Sequence, residues 1–489
     1  LRNVLLLALA LLHVYVAYIL LGEYPRFENL VKQLDKIFEK FFFPEMHSLH
    51  LINLGQKYLF QGEAFKAVSY LEQARDEIER HGLIYLYPPI LMCELWSKVY
   101  MPEGQDTEES ARAIANLSLT MGNVFVQGLS LLMLGASRYQ RGNFRGAQEV
   151  LRQAWEILGS EEGRAELQWN WTKVLLALAA SHLQENGAAE RGLEEALEYF
   201  TLSSCQTFLR EAHLATALWK WRHGQTTEVA CHLETGLKLL ERHGYHFSFM
   251  LNKQDMLQVC LLALELQMEG TWDYISCILK TRLADIAGPE LEKLLYHPEK
   301  RVAERAWEIR RAIHRARRPR VRLQTLGGFL LRRGEIAMAE DDWEGRQPQL
   351  LLKALLAHGA HGVVKDVLLE DLWPEADPEG AEKNFKVNLH RLRKSLEPDL
   401  DKTFGSSYIH LKANLVSVDA ELCDLDVEKF LAGGKEGEKK EAQGQVKEAI
   451  SLYKDAVASY GGDFLPEERY FSWVDAKRER LRQTYRGLL

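Results

Sequence analysis

Cationic side chains recur at helical spacing between residues 383 and 394, and they have the clearest capacity for binding chemistry in the chain. The cationic positions are Lys383, Lys386, His390, Arg391, Arg393 and Lys394. On an α-helix of 3.6 residues per turn they oppose an apolar side, with Glu382 as the acidic neighbour. Lysine and arginine bind phosphate, and arginine also forms paired hydrogen bonds with guanine. Such a run is more often a solvated surface, so its interpretation depends on the elements around it.

The same segment carries an apolar stripe that predicts how the helix is held. The stripe consists of Phe385, Leu389, Leu392 and Leu396. We predict a helix over 381–396 that packs this stripe on two earlier helices, one ending at Gly359 and one stopped by Pro374. VRLQTLGGFLLRRGEIAMA before them alternates as short strands do, and SSYIHLKANLVSVD after them is typical of a closing hairpin. These elements predict an α+β domain over residues 320–420.

Residues 372–398 add a more specific signal. LWPEADPEGAEKNFKVNLHRLRKSLEP resembles the third-helix signature of the SARP and AfsR-like bacterial regulators, and LGGF stands where that family has a strand opening. The resemblance implies an OmpR-type winged helix with its third helix in the major groove of duplex DNA. By position it implies base contacts from Lys386, His390 and Arg391, and phosphate contacts from Asn388 and Arg393. The remaining lysines of the run, Lys383 and Lys394, join the predicted DNA-binding set.

The closing hairpin departs from the family's pattern. Where the family has an arginine, a glycine, any residue, a glycine and a tyrosine for contacts to DNA, this chain has FGSSY at residues 404–408. This leaves Lys402 and Lys412 as candidate contacts of the wing. The arginine-rich stretch at 310–322 either adds phosphate contacts or forms the end of a helix, where the helix dipole favours cations.

The segment 424–489 resembles the bacterial transcriptional activator domain, which follows the winged helix in this family as a further set of tetratricopeptide helices. Its motif positions are held by Asp424, Asp426, Phe430, Ala449, Leu452, Tyr453, Tyr460, Gly462, Leu465, Pro466, Trp473 and Arg478 to Leu481. The resemblance implies a short helical-repeat domain, and we expect it to be cut at Leu489. Within it, we expect GGKEGEKKEAQGQ to be a solvated turn between helices.

Residues 1–282 show internal repetition with a period of about 40 residues. LGQKYLFQGEAFKAVSYLEQA resembles a tetratricopeptide repeat, with Leu54, Gly55, Tyr58, Gly62, Ala67, Leu71 and Ala74 in its signature positions. Seven helix pairs are predicted from turn glycines at Gly22, Gly62, Gly104, Gly142, Gly187, Gly224 and Gly270. Residues 283–316 resemble a HEAT-type pair that caps the array. The long period is similar to the sensor arrays of MalT-like activators, in which an ATPase usually lies upstream.

Two features of the array admit more than one interpretation. Val4–Leu21 is almost wholly apolar and long enough to span a bilayer, but it continues into the repeat pattern, which favours a buried repeat helix over a membrane anchor. A set of tryptophans could form an aromatic ligand surface, but at repeat positions large aromatic residues are more often core residues. These tryptophans are Trp169, Trp171, Trp219 and Trp221.

Composition sets further limits. With 47% hydrophobic and 27% charged residues the chain is expected to fold throughout, and a net charge of -8 decides nothing about DNA, since binding depends on local basic patches. The six cysteines are scattered, and no nucleotide-binding or hydrolase motif is present, so we expect a cytoplasmic protein without cofactor, metal or catalytic site. Because the first residue is Leu1 and not methionine, we expect the sequence to begin inside a longer chain or at a cut.

The sequence therefore predicts a mainly α chain with a tetratricopeptide-like α-solenoid, an α+β winged-helix domain and a short C-terminal helical-repeat domain. We interpret it as a sequence-specific DNA-binding transcriptional regulator, most simply an activator. Its repeats would contact RNA polymerase or other proteins, or receive a small-molecule or protein inducer. The alternative is a protein-interaction scaffold that does not bind DNA.

Overall fold

The computed structural model describes residues 2–100, 107–120, 122–185, 188–400 and 403–489. The chain divides into two compact units, Leu1–Ile313 and His314–Leu489, each with its own hydrophobic core. The fold is mainly α, and every strand in the described residues belongs to the second unit.

The first unit is an array of antiparallel helix pairs. Its helices are α1 (Arg2–Leu21), α2 (Tyr24–Lys40), α3 (Pro44–Phe60), α4 (Ala64–His81), α5 (Tyr87–Val99), α6 (Thr107–Thr120), α7 (Val124–Gln140), α8 (Phe144–Gly159), α9 (Glu166–His182), α10 (Ala188–Leu202), α11 (Gln206–Arg222), α12 (Val229–Arg242), α13 (Lys253–Glu265), α14 (Trp272–Thr281), α15 (Ala284–Leu294) and α16 (Lys300–Ala316). In the described residues, seven pairs precede the last pair, α15 and α16. The predicted helical-repeat solenoid is therefore present.

Glycines end the first helices of several pairs. The left-handed turn glycines are Gly22, Gly62, Gly142 and Gly224, with φ between 73° and 77°. Glycine adopts this conformation without the steric cost that a side chain adds. Gly270 also lies in the connection between two helices, in a one-turn 3-10 helix, but it does not end α13; Gln267 takes the left-handed conformation there, with φ 54°. Gly104 and Gly187 lie outside the described residues.

Small residues allow the two helices of a pair to approach closely. A Cβ atom added to Gly55 on α3 would lie 2.8 Å from Cδ2 of Leu71 on α4, and Gly135 on α7 meets Leu151 on α8 in the same way. Real Cβ atoms do not come so close, so any side chain here would separate the helices. This is the packing that the repeat signature predicts.

The first helices of successive pairs contact one another and form an inner layer of the first unit. Helix α1 contacts both α3 and α11, so this layer closes on itself. Trp171 and Trp219 are buried, as the core interpretation requires, whereas Trp169 is partly buried and Trp221 is exposed.

Helix α1 is buried along one stripe only. The buried stripe consists of Ala8, Leu12, Tyr15 and Ile19. Large exposed apolar residues on its other sides are Leu5, Leu6, Leu7 and Val14. Within the described chain, Val4–Leu21 is the one stretch long and apolar enough to cross a membrane, with mean hydropathy 2.6, and 22% of it is buried. Packing in the array thus accounts for one side of this helix.

The second unit begins with short strands and three helices. Its elements are β1 (Val321–Gln324), β2 (Leu330–Arg333), β3 (Ile336–Ala337), α17 (Arg346–His358), β4 (Val363–Val364), α18 (Lys365–Leu372), α19 (Pro378–Leu396), β5 (Ile409–Lys412), β6 (Leu415–Val418), β7 (Cys423–Leu425), α20 (Asp426–Ala442), α21 (Val446–Ser459) and α22 (Ser472–Leu488). One sheet has the order β3-β2-β1-β7, and the other has the order β4-β6-β5. The helices, strands and closing hairpin follow in the predicted order.

The C-terminal helices share one core with the strands and helices before them. Strand β7 pairs with β1 in parallel, and Phe464 and Leu465 are buried with Phe385 and Leu351. The expectation of a solvated turn at GGKEGEKKEAQGQ is wrong, because α20 continues to Ala442. Its glycines lie in helix contacts instead: a Cβ atom on Gly433 would meet Ala456 at 3.2 Å, and one on Gly437 would overlap the Tyr453 ring. The turn is confined to residues 443–445.

Candidate nucleic-acid interface

Helix α19 is positioned by its cap and its apolar stripe. Oδ1 of Asp377 accepts a hydrogen bond from the Gly380 N–H at 2.9 Å, and Pro378 occupies the first turn, where its missing N–H costs nothing. The predicted stripe is buried, with Phe385 and Leu392 at 0% exposure, Leu396 at 2% and Leu389 at 4%. The opposite side of the helix therefore faces solvent.

The solvent-facing side of α19 carries most of the predicted cations. The exposed cationic residues are Lys383, Lys386, His390, Arg391 and Lys394. Val387, which is 43% exposed, lies near the middle of this side, because residues 383, 391 and 394 fall within about 40° of it at 100° per residue. Asn384 is also exposed beside it. Sequence reasoning missed both residues, although the same helical spacing would have placed them there.

Carboxylates at the edges of this surface hold two of the lysines. Glu382 pairs with Lys365 at 2.8 Å and with Lys386 at 3.2 Å, and Lys394 pairs with Glu344 at 2.6 Å. The hydrogen bonds from Lys365 and Lys386 hold the pKa of Glu382 below its usual value, and Lys394 does the same for Glu344. Exposed ion pairs of this kind contribute little to stability, so the lysines can exchange them for phosphate.

Asn388 does not belong to this surface, which corrects its prediction as a phosphate contact. Its side chain is buried, and Nδ2 donates a hydrogen bond to the Asn384 carbonyl within the same helix at 2.8 Å. At about 100° from Val387 around the helix, it points toward the protein interior.

Arg393 also has a role that differs from its predicted phosphate contact. Its Nε donates a hydrogen bond to the carbonyl of Ile409 on β5 at 3.1 Å, and burial lowers the pKa of its guanidinium. The side chain thus fastens α19 to the closing hairpin. The sequence could not show this bond, because its acceptor is a backbone atom sixteen residues away.

The closing hairpin turns at Ala413 and Asn414, which both have positive φ, 46° and 70°. This is the two-residue turn that matches the twist of antiparallel strands. Lys412, the predicted wing contact, is exposed beside the turn, and Lys402 lies outside the described residues. Residues 406–408 of the FGSSY run are buried, and the Tyr408 hydroxyl donates to the Pro319 carbonyl at 2.5 Å.

The arginine-rich stretch at 310–322 forms ion pairs within the protein. Arg315 binds the Asp419 carboxylate at 2.8 Å, and Arg318 binds Asp399 at 2.5 Å. Arg322 lies 3.3 Å from Glu335. Five of its arginines are held by carboxylates, including Arg310 at 3.2 Å from Glu292 and Arg320 through a longer 3.7 Å contact with Asp424. These ion pairs favour a structural role within the protein over phosphate contacts for Arg315, Arg318 and Arg322.

Polar contacts fix the C-terminal segment to the preceding strands. The Asp426 carboxylate accepts hydrogen bonds from the backbone of Thr325 and Leu326, both at 2.7 Å. Arg478 donates to the carbonyls of Phe464 and Leu465 at 3.0 and 2.9 Å. Asp426, Leu465 and Arg478 were predicted motif positions, and the structure shows what each of them holds.

Comparison with known proteins identifies this segment. Residues 425–486 match the family described as "Bacterial transcriptional activator domain". This match supports a role in bacterial transcriptional activation and confirms the resemblance predicted for the segment. A search of curated proteins finds no match.

Among solved structures, the chain is similar to the Rap conjugation gene regulator of the plasmid pLS20 in complex with the Phr* peptide. The two share 10% sequence identity over 89% of this chain and 96% of the other, with a TM-score of 0.29. At that TM-score the two folds superpose poorly. The architecture described above comes from the helices and strands of this chain alone.

Proposed function

We propose that the chain is a bacterial transcriptional activator that binds duplex DNA through α19, with the α17–β6 segment acting as a winged helix. The observation that carries the proposal is the solvent-facing side of α19, where four exposed lysine and arginine side chains and His390 surround Val387. The major groove accepts an α-helix, and a core-packed stripe on the opposite side presents this surface as a rigid unit.

The residues of this surface divide by chemistry. Arg391 is suited to guanine O6 and N7, and Asn384 to adenine N6 and N7. Val387 offers an apolar contact for a thymine methyl group. Lys383 and Lys394 are suited to phosphates, and Lys412 beside the hairpin turn reaches the backbone next to the groove.

The family match in residues 425–486 supports the same function, and the helical repeats supply the surface for RNA polymerase, another protein or an inducer. A cytoplasmic location follows from this function. In this proposal the chain acts by binding, without catalysis. A scaffold that binds only proteins is the alternative.

Fluorescence anisotropy of the full chain with labelled duplex DNA at low salt tests the proposal. We expect binding that Lys383→Glu combined with Arg391→Glu abolishes, because both changes place negative charge on the DNA-facing side. Lys435→Glu combined with Lys439→Glu is the matched control, since it reverses two exposed lysines on α20. Equal loss in both variants, or no binding by the unmodified chain, would favour the scaffold.

A further inference from the structure

The connection between α12 and α13, residues 243–252, is buried in the first unit at Tyr245 and from Ser248 to Asn252, whereas Gly244 is exposed and the remaining residues are partly buried. It contains no helix or strand, yet Tyr245, Ser248, Phe249 and Met250 are each at most 3% exposed. Connections normally follow the surface, because their backbone polar groups need water. A buried irregular connection of this length therefore requires a specific set of partners.

Phe249 is surrounded by aromatic rings from four different helix pairs. Ring centroids lie 4.9 Å away for Phe60, 5.2 Å for Phe208, 5.6 Å for Trp171 and 6.0 Å for Trp96. These rings come from α3, α11, α9 and α5, which are all first helices of their pairs. The ring thus occupies an aromatic site that the inner layer builds jointly.

Side chains of the inner layer also bind the backbone of this connection. The Tyr100 hydroxyl donates a hydrogen bond to the Phe249 carbonyl, and Nε2 of Gln140 donates to the Met250 carbonyl at 3.2 Å. The Ser248 hydroxyl donates to the buried carboxylate of Glu211. Capture of main-chain carbonyls together with an anchoring side chain is how a groove recognises a peptide.

The neighbouring turns make room for the connection. A Cβ atom on Gly62 would overlap the ring of Phe247, and one on Gly22 would overlap His243. Two turn glycines of the repeat pattern therefore also accommodate this segment.

The segment does not satisfy every polar group of the site. Arg210 is fully buried, and its guanidinium lies 4.4 Å from the centre of the Tyr245 ring. Its Nε pairs with Glu211 at 3.1 Å, but Nη2 has no hydrogen-bond acceptor among the described residues. An unsatisfied buried donor is costly, so a ligand that supplied an acceptor here would gain binding energy.

We propose that the interior of the helical array is a peptide-binding site and that residues 243–252 are its internal ligand. A short peptide with a central aromatic residue between apolar ones competes with this segment for the same site. This site is separate from the DNA surface of α19 and does not depend on the function proposed for it.

The test uses a full-length variant in which residues 246–251 are replaced by a Gly–Ser linker of equal length. The probe is a fluorescein-labelled peptide with the sequence of residues 245–252. We expect saturable binding to this variant, at least about tenfold tighter than to the unmodified chain, whose site is occupied. A helical variant that fails to bind the probe, or that binds a scrambled peptide equally well, overturns the proposal.

A matched control and a second measurement separate this role from ordinary core packing. Phe27→Ala removes another fully buried ring of the same unit, which packs on Tyr15 with centroids 4.2 Å apart, and should not create probe binding. If the linker variant does not fold, hydrogen exchange of the unmodified chain distinguishes an internal ligand from ordinary core packing. The proposal requires amides of residues 245–252 to exchange by local opening. Exchange of these amides only together with α7 and α9 contradicts it.

Discussion

Arg391 and Arg393 lie two positions apart on α19 and face different surroundings. Helical geometry turns them about 200° from each other, and the sequence predicts that difference in direction. Arg391 is exposed, as its predicted base contact requires, whereas Arg393 holds the Ile409 carbonyl. Helical spacing in the sequence predicts which residues of α19 are exposed. It does not predict the contact of Arg393, because the tertiary fold brings Ile409 to it.

Arg391→Ala tests the base-reading role. We expect a loss of roughly 1 to 3 kcal/mol on the preferred operator, with a relaxed sequence preference and unchanged stability, because the side chain makes no core contact. The operator is selected from random duplexes, and both it and scrambled DNA are titrated by anisotropy. Equal losses on the two sequences would show that this residue does not read bases.

Arg393→Ala tests the anchoring role. Removing the guanidinium leaves the Ile409 carbonyl without its donor, which costs about 1.5 to 3 kcal/mol for a hydrogen bond to a charged group. Hydrogen exchange of the β5 amides should therefore accelerate, whereas Arg391→Ala should leave it unchanged. If exchange of the β5 amides is unaltered and DNA binding is weakened, the result would instead support the phosphate contact that the sequence predicts for Arg393.

At the scale of elements, the C-terminal segment is fastened to α17 by a buried lysine. Lys353 is 3% exposed and lies 2.6 Å from Glu468 and 2.8 Å from Glu467. The family resemblance predicts the helices of this segment, but its packing on α17 follows from pairs more than one hundred residues apart. Such pairs leave no local pattern in the sequence.

Lys353→Met should destabilise the second unit by about 3 to 5 kcal/mol, because it leaves the buried carboxylate of Glu468 with only the exposed Arg346 guanidinium, 3.8 Å away. Denaturant unfolding of the full chain, monitored by hydrogen exchange in α17 and α22, measures the effect. Lys439→Met, which breaks an exposed pair with Glu436, is the control and should change little. Equal effects in the two variants would show that the buried pair adds nothing to the packing.

Within the array, Asp255 links its own helix, α13, to the first helices of three other pairs. The buried carboxylate on α13 accepts hydrogen bonds from Tyr139 on α7, His182 on α9 and Arg222 on α11. Burial opposes ionisation, but the His182 hydrogen bond and the Arg222 charge outweigh it, and the pKa of Asp255 lies below its usual value. A depressed pKa stabilises the fold above the pKa of the unfolded chain, and this contribution is lost as pH falls through the folded value.

Asp255→Asn should therefore destabilise the array by about 3 to 5 kcal/mol at neutral pH, because Arg222 loses its charged partner. The difference from the unmodified chain should begin to shrink below about pH 4, where the carboxylate of the unfolded chain takes up a proton, and should be lost as pH falls through the lower folded value. Denaturant unfolding at a series of pH values measures it. A difference that stays constant into acid would mean that the charge of Asp255 is unimportant.

Local patterns explain which parts of the fold the sequence predicts. Turn glycines such as Gly62 and the stripe through Phe385 follow from helix geometry, so the repeat array and α19 were predictable. The turn predicted at GGKEGEKK, residues 433–440, is wrong because glycine and charge favour turns locally, whereas tertiary contacts with Ala456 and Tyr453 stabilise a helix there. The burial of residues 243–252 depends on rings from four helices and has no sequence signature.

At the scale of the whole molecule, a net charge of -8 coexists with a cationic surface on one helix. Arg315 and Arg318 are held by carboxylates, whereas α19 gathers exposed lysine and arginine side chains on one side of a single helix. Binding through these side chains must release counterions from the duplex, and it must therefore weaken as salt rises.

Salt dependence of DNA binding by the full chain tests the central claim most directly. Each phosphate contact contributes about -0.9 to the slope of log K against log salt, so contacts from the α19 cations and Lys412 predict a slope of roughly -3 to -5. A variant combining Lys383→Ala, Arg391→Ala and Lys394→Ala should lower the magnitude of that slope by about two, because Lys383 and Lys394 are its two phosphate contacts. Salt-insensitive binding, no binding at low salt, or an unchanged slope in the triple variant would contradict DNA recognition by this helix.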